Sequence, residues 1–114
     1  MSGITTHVLD VALGQPARGV AVKLELHTEG KGWVTLADRK TNDDGRVPDL
    51  LAGGARLDAG RYRLTFAVGP YFAARGVDHF HPEAAITFEI KDAAQHYHVP
   101  LLVSPFSYST YRGS

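Results

Sequence analysis

The 114-residue chain contains no cysteine. That absence excludes disulfide staples, thiol nucleophiles, zinc fingers and iron–sulfur clusters. Long apolar runs are missing too: the longest span a handful of residues, against the roughly 20 that a membrane-crossing helix needs. Nor is there an excess of either charge. Twelve Lys and Arg balance twelve Asp and Glu, for a net charge of +0 with His neutral, which argues against a nucleic-acid partner. The opening Met1-Ser2-Gly3-Ile4-Thr5-Thr6 has neither the basic start nor the apolar stretch of a secretory leader. The expectation is a cytoplasmic protein that engages no membrane. Gly14-Gln15-Pro16-Ala17-Arg18-Gly19 lacks the spacing of a phosphate loop. Ser104, Ser107, Ser109 and Ser114 lack the Gly-x-Ser-x-Gly setting of a nucleophile elbow.

What the chain does have is the balance of a globular domain, 44% hydrophobic and 21% charged residues. Its length suits one domain over residues 1–114, hiding about 65% of its unfolded surface. With no disulfide, such a domain rests on its own core, on a metal bound without cysteine, or on its oligomer.

Alternation dominates the sequence. Val22, Leu24 and Leu26 alternate with Lys23, Glu25 and His27. Tyr62, Leu64 and Phe66 alternate with polar neighbours, as do Ile86, Phe88 and Ile90. A two-residue period puts apolar and polar rows on opposite faces of a strand. Ile4–Asp10, Trp33–Lys40, His96–Val103 and Tyr108–Tyr111 are further strand candidates. Turn signals separate them: Gly14-Gln15-Pro16, Glu29-Gly30-Lys31-Gly32, Asn42-Asp43-Asp44-Gly45, Gly53-Gly54 and Ala59-Gly60. Only Gly69-Pro70 through Arg75-Gly76 invites a helix, with proline at its start and glycine at its stop. Seven or so short strands and one short helix predict an antiparallel β-sandwich.

The chemistry falls to six histidines, the carboxylates and a few arginines. His96 and His98 share a strand face, roughly 7 Å apart. Two imidazoles can start a metal site but do not complete one, and a pair of strand histidines bonded to neighbours is the simpler reading. His79 and His81 read as residues of a solvated loop, and His27 as a surface residue. His7 is more pointed, since it sits inside a strand where a β-branched residue would serve. Arg46 follows a tight turn. Its planar fork could hold a carbonyl or carboxylate, although a surface arginine after a turn is the commoner case.

The terminal run His96-Tyr97-His98-Val99-Pro100-Leu101-Leu102-Val103-Ser104-Pro105-Phe106-Ser107-Tyr108-Ser109-Thr110-Tyr111-Arg112-Gly113-Ser114 resembles the 5-hydroxyisourate hydrolases, also called transthyretin-related proteins. Tyr111-Arg112-Gly113-Ser114 matches the signature that separates these hydrolases from transthyretin, the hormone carrier of the same fold. Thr5-Thr6-His7-Val8-Leu9-Asp10, Thr41-Asn42-Asp43-Asp44-Gly45-Arg46, and Pro82-Glu83 followed by Ile86-Thr87-Phe88-Glu89-Ile90 match as well. One departure is His81, where a second aromatic is expected.

The resemblance implies an all-β, transthyretin-like sandwich of two four-stranded antiparallel sheets with one short helix. It implies a homotetramer, a dimer of dimers, with sites at the mouths of a central channel lined by neighbouring subunits. The activity implied is hydrolysis of 5-hydroxyisourate to 2-oxo-4-hydroxy-4-carboxy-5-ureidoimidazoline in urate degradation, with no metal or organic cofactor. The resemblance carries over His7, Arg46, His98 and Ser114 as catalytic, and His7, Arg46 and Tyr111 as substrate-binding. The alternative is a non-catalytic transthyretin-like ligand-binding protein. A metal-dependent hydrolase built on His96, His98 and another histidine, and a purely structural tetramer, are further rivals.

Overall fold

The computed structural model describes residues 3–48, 50–51 and 57–113. The expected Gly53-Gly54 turn and the candidate site residue Ser114 lie outside them. The eight strands are β1 (Gly3–Asp10), β2 (Gln15–Pro16), β3 (Ala21–Thr28), β4 (Gly32–Lys40), β5 (Gly60–Phe66), β6 (Ala84–Ile90), β7 (His96–Ser104) and β8 (Ser107–Thr110). The helix α1 (Val68–Ala74) crosses between β5 and β6. Two four-stranded sheets result, ordered β2-β1-β7-β8 and β4-β3-β5-β6.

Alternation explains the core. On β1, Ile4, Thr6, Val8 and Asp10 are buried, while Thr5, His7 and Leu9 stand half-exposed on the other face. On β7, Tyr97, Val99, Leu101 and Val103 turn inward. Val22 and Leu24 of β3 and Tyr62, Leu64 and Phe66 of β5 supply the second sheet's share of the same core. Each such aliphatic or aromatic side chain, fully buried, contributes roughly 1.5–3 kcal/mol.

The expectation of two antiparallel sheets needs one correction. The sheet β4-β3-β5-β6 is antiparallel throughout, but β1 and β7 run parallel, so the other sheet is mixed. The chain between β1 and β7 builds the whole second sheet, and a pair joined by no hairpin is free to run parallel. The Gln15-Pro16 turn is also a short edge strand, paired with Leu9 and Asp10 of β1. The helix falls where expected, with Gly69 and Pro70 in its first turn.

One buried carboxylate ties the end of β1 to this helix. Asp10 accepts the Tyr71 hydroxyl at 2.8 Å and the backbone N–H groups of Ala12 and Leu13 at 3.1 and 3.2 Å. Burial foremost, followed by the bond to this carboxylate, pushes the Tyr71 phenol up to about 12. Among the described residues no helix is long and apolar enough to cross a membrane.

Candidate active site

The parallel register of β1 and β7 builds the site. It sets Gly3 opposite His96, Thr5 opposite His98 and His7 opposite Pro100. The outward residues of the two strands therefore share one face, with His7 the diagonal neighbour of His98. Thr5 stands between the two β7 histidines. Its Oγ1 lies 2.9 Å from His96 Nε2 and 2.8 Å from His98 Nδ1. The next residue, Thr6, points the other way and donates its hydroxyl to the Val99 carbonyl at 2.6 Å inside the core. One step along the strand separates a site threonine from a structural one.

Arg46 reaches this face through a tightly held turn. Asn42 Oδ1 accepts the N–H groups of Asp44 and Arg46 at 2.9 and 3.0 Å. The Gly45 N–H donates to the Asn42 carbonyl at 2.9 Å. Gly45 has φ of 76°, and a Cβ there would fall 2.4 Å from the Val8 carbonyl oxygen. Only glycine meets both demands. The Val8 N–H donates to the Gly45 carbonyl at 2.8 Å, and the backbone of Arg46 bridges to that of His7. Arg46 is thus pinned beside His7 while its side chain stays exposed. Its guanidinium makes no hydrogen bond or ion pair among the described residues, so its donors are available to a ligand.

The terminal segment closes over His98. The Gly113 N–H donates to the His98 carbonyl at 2.8 Å, forming an isolated bridge between the two backbones. Arg112 donates to Gln95 Oε1 at 2.8 Å and sits over the Tyr97 ring at 4.5 Å. Tyr111 stands apart from the cluster. It makes no hydrogen bond or ring contact with His7, Arg46 or His98. Instead it lines a cleft of about 260 Å³ between the edge strands β6 and β8, with Ile86, Phe88 and Val99.

His98 is held below the ordinary histidine value of 6.5, first by burial and then by the positive charge of Arg46, with His7 and His96 adding to the effect. At neutral pH its ring is therefore uncharged and keeps a lone pair. Thr5 occupies Nδ1, which leaves Nε2 as the nitrogen for chemistry. A neutral imidazole beside an unpaired guanidinium can take a proton from water while a neighbouring carbonyl is polarised.

The structure brings His7, Arg46 and His98 together. Two contributors were not foreseen from sequence. Thr5 becomes visible as one only once the β1–β7 register is known. Gly113 lies within the Tyr111–Ser114 motif, but nothing in the sequence tells which side chain it approaches. Of the other histidines, His27 is exposed and meets Trp33 edge-on. His79 and His81, expected in a solvated loop, are half-buried among aromatics. His79 stacks on Phe72, and His81 lies edge-on to Phe80 and Tyr108, filling the aromatic's place at that position. His96 and His98 are joined through Thr5. Among the described residues no group of three or more His, Cys, Asp or Glu is arranged to hold a metal ion.

Comparison with known proteins bears on this geometry. Residues 4–113 match the model of the HIUase/Transthyretin family. The chain is 47% identical to the 5-hydroxyisourate hydrolase of Caulobacter vibrioides, with 100% of each chain covered. Among solved structures, the 5-hydroxyisourate hydrolase of Klebsiella pneumoniae is 44% identical with a TM-score of 0.86, covering 100% of this chain and 94% of that one. Sea bream transthyretin in complex with thyroxine is 32% identical with a TM-score of 0.90, covering 96% and 93%. The backbone superposes as well on the thyroxine complex as on the hydrolase, so function has to be read from side chains.

Proposed function

Because the chain belongs to the HIUase/Transthyretin family, we propose that it is a 5-hydroxyisourate hydrolase, acting as a single domain over residues 1–114. The observation that carries this reading is the gathering of His7, Arg46 and a neutral His98 on one sheet face beneath the terminal segment. The substrate is a small, flat, oxidised purine rich in carbonyl and N–H groups.

Water adds to the ring carbonyl, His98 Nε2 takes its proton, and Arg46 holds the carbonyl oxygen through its planar fork as negative charge develops. His7 assists in placing the water and the ring. The ring C–N bond then breaks, its nitrogen receives the proton back from His98, and the new carboxyl group and ureido group appear in 2-oxo-4-hydroxy-4-carboxy-5-ureidoimidazoline. Ser114 supplies a hydroxyl to orient a histidine. The route uses side chains alone and places the protein in urate degradation in the cytoplasm.

The working form is a homotetramer, a dimer of dimers. Exposed Phe80, Phe106 and Tyr111, at 71%, 66% and 59% exposure, support an assembly in which large apolar surfaces are covered. In it Tyr111 completes a substrate pocket shared between subunits. Light scattering at micromolar concentration returns a tetramer on this reading. An active monomer contradicts it.

The second reading is a transthyretin-like binding protein without turnover, favoured only by the backbone likeness to the thyroxine complex. A carrier's site needs apolar walls, whereas this face presents Thr5, His7, Arg46, His96 and His98. The deciding assay uses freshly generated 5-hydroxyisourate, with spontaneous decay subtracted. Turnover above that background supports the hydrolase, and its absence alongside tight ligand binding supports the carrier.

A further inference from the structure

Resting on the hydrolase reading, we propose that Thr5 is a positioning and proton-relay residue that links His98 to the exposed His96, so that His98 exchanges a proton at Nδ1 as it gains or loses one at Nε2. Three structural features carry this. The two contacts, 2.9 Å to His96 Nε2 and 2.8 Å to His98 Nδ1, form a continuous chain through a single hydroxyl. Thr5 and His98 are directly opposed in the register. The chain leads from a half-buried ring to an exposed one.

A hydroxyl carries one proton. Placed between two ring nitrogens, Thr5 donates to one and accepts from the other, so the tautomers of the two rings are linked. In one state His98 Nδ1–H donates to Thr5 and Thr5 donates to His96 Nε2. In the other, His96 Nε2–H donates to Thr5 and Thr5 donates to His98 Nδ1. Moving the proton of each bond along the chain, while His98 gains a proton at Nε2 and His96 gives one up to solvent at Nδ1, converts one neutral state into the other.

The value of the link lies in where it leaves positive charge. Among the described residues the charged and titratable groups facing His98 are Arg46 from the turn, His7 from β1 and His96 from its own strand, and an imidazolium there is disfavoured by burial and by the guanidinium. When His98 takes a proton from water at Nε2, its Nδ1 proton passes to Thr5 Oγ1 and the Thr5 proton passes to His96 Nε2. No proton is created or lost: His98 ends neutral, and His96 carries the charge in contact with solvent. When His98 returns its Nε2 proton to the ring nitrogen, the transfer runs backward and Nδ1 is refilled. The Cβ branch and methyl of Thr5 have no part in this, which separates the relay from packing.

The test has two arms. Imidazole nitrogen NMR on the resting protein reads the tautomers of His96 and His98 across pH, without substrate. The relay predicts complementary tautomers whose titrations are linked in the wild type and in Thr5→Ser, and independent titrations in Thr5→Val. In steady-state kinetics Thr5→Val, which keeps the shape and removes the hydroxyl, lowers kcat by about ten-fold with KM little changed. Thr5→Ser keeps most of the wild-type kcat. His96→Ala lowers kcat less than His98→Ala, and added imidazole restores it. Wild-type kcat in Thr5→Val, equal loss in the serine and valine variants, or unlinked rings in an active wild type each overturn the relay. A wild type that does not turn over 5-hydroxyisourate overturns the hydrolase reading, and the relay's role in catalysis with it, even where the NMR shows the rings linked.

Discussion

Gly113 leaves no room for a side chain beside the ring of His98. Its N–H is bonded to the His98 carbonyl at 2.8 Å, and a Cβ added to it would meet Cδ2 at 2.5 Å and Cγ at 3.2 Å. No side chain fits there without moving the imidazole. The glycine of the terminal tetrapeptide thereby seats the ring that we assign as base.

Gly113→Ala is therefore expected to act on geometry. The methyl displaces the ring or lifts the terminal segment, and misplacing a reacting group by about 1 Å costs on the order of 10²-fold in rate. The segment lies outside the core, so the thermal midpoint stays near the wild-type value. Kinetics beside a thermal melt checks both halves. Near-normal turnover means that the close approach is not used in catalysis.

Arg46→Lys keeps the charge but loses the planar fork that can grip a flat carbonyl-bearing ring. Removing one preorganised donor from a developing oxyanion costs on the order of 10²–10³ in rate, and the lysine and alanine variants are both expected in that range. Arg46 is exposed and its turn is held by Asn42 and by backbone bonds, so the fold persists in both. A lysine variant with wild-type turnover shows that charge alone suffices. Early melting of both shows a structural arginine.

The lowered pKa of His98 predicts how activity and stability depend on pH. Activity has an acid limb below 6.5, where the ring takes up a proton and loses its lone pair. The unfolded chain binds that proton more readily than the folded protein does. The contribution of His98 to stability is thus complete above 6.5 and is lost as pH falls through the lower, folded value. Removing the Arg46 charge in Arg46→Ala raises the His98 pKa toward 6.5. An NMR titration of His98 in both proteins measures the change, and identical curves would mean that burial and the neighbouring histidines keep the ring neutral without Arg46.

Exhaustive dialysis against a strong chelator is expected to leave turnover unchanged, because every group in the proposed route is an imidazole, guanidinium, phenol or hydroxyl. Activity lost to the chelator and restored by zinc would return His96 and His98 to the role of metal ligands.

Much of the architecture is legible along the chain, because strand faces and turns are local properties. The alternation at Val22–Leu26, Tyr62–Phe66 and Ile86–Ile90 reappears as β3, β5 and β6. Pro70 and Gly76 bracket the helix, since proline suits a first turn and glycine a stop. The resemblance carried by the terminal tetrapeptide and by the segments around His7 and Arg46 pointed to the family that the comparisons show.

Tertiary structure decided the rest, because pairing between distant strands has no local signature. Alternation turns Thr6 toward the core and Thr5 away from it, but only the parallel register of β1 and β7 sets Thr5 between two histidines. An antiparallel pairing, which alternation alone allows equally well, would have set other residues opposite these histidines. The nearness of Arg46 to His7 likewise depends on the Asn42–Gly45 turn folding back onto Val8. The closeness of Gly113 to His98 depends on where the chain runs after β8. Sequence alone specifies which residues can do acid–base chemistry and which face of a strand each occupies; only packing across the sheet specifies which of them meet.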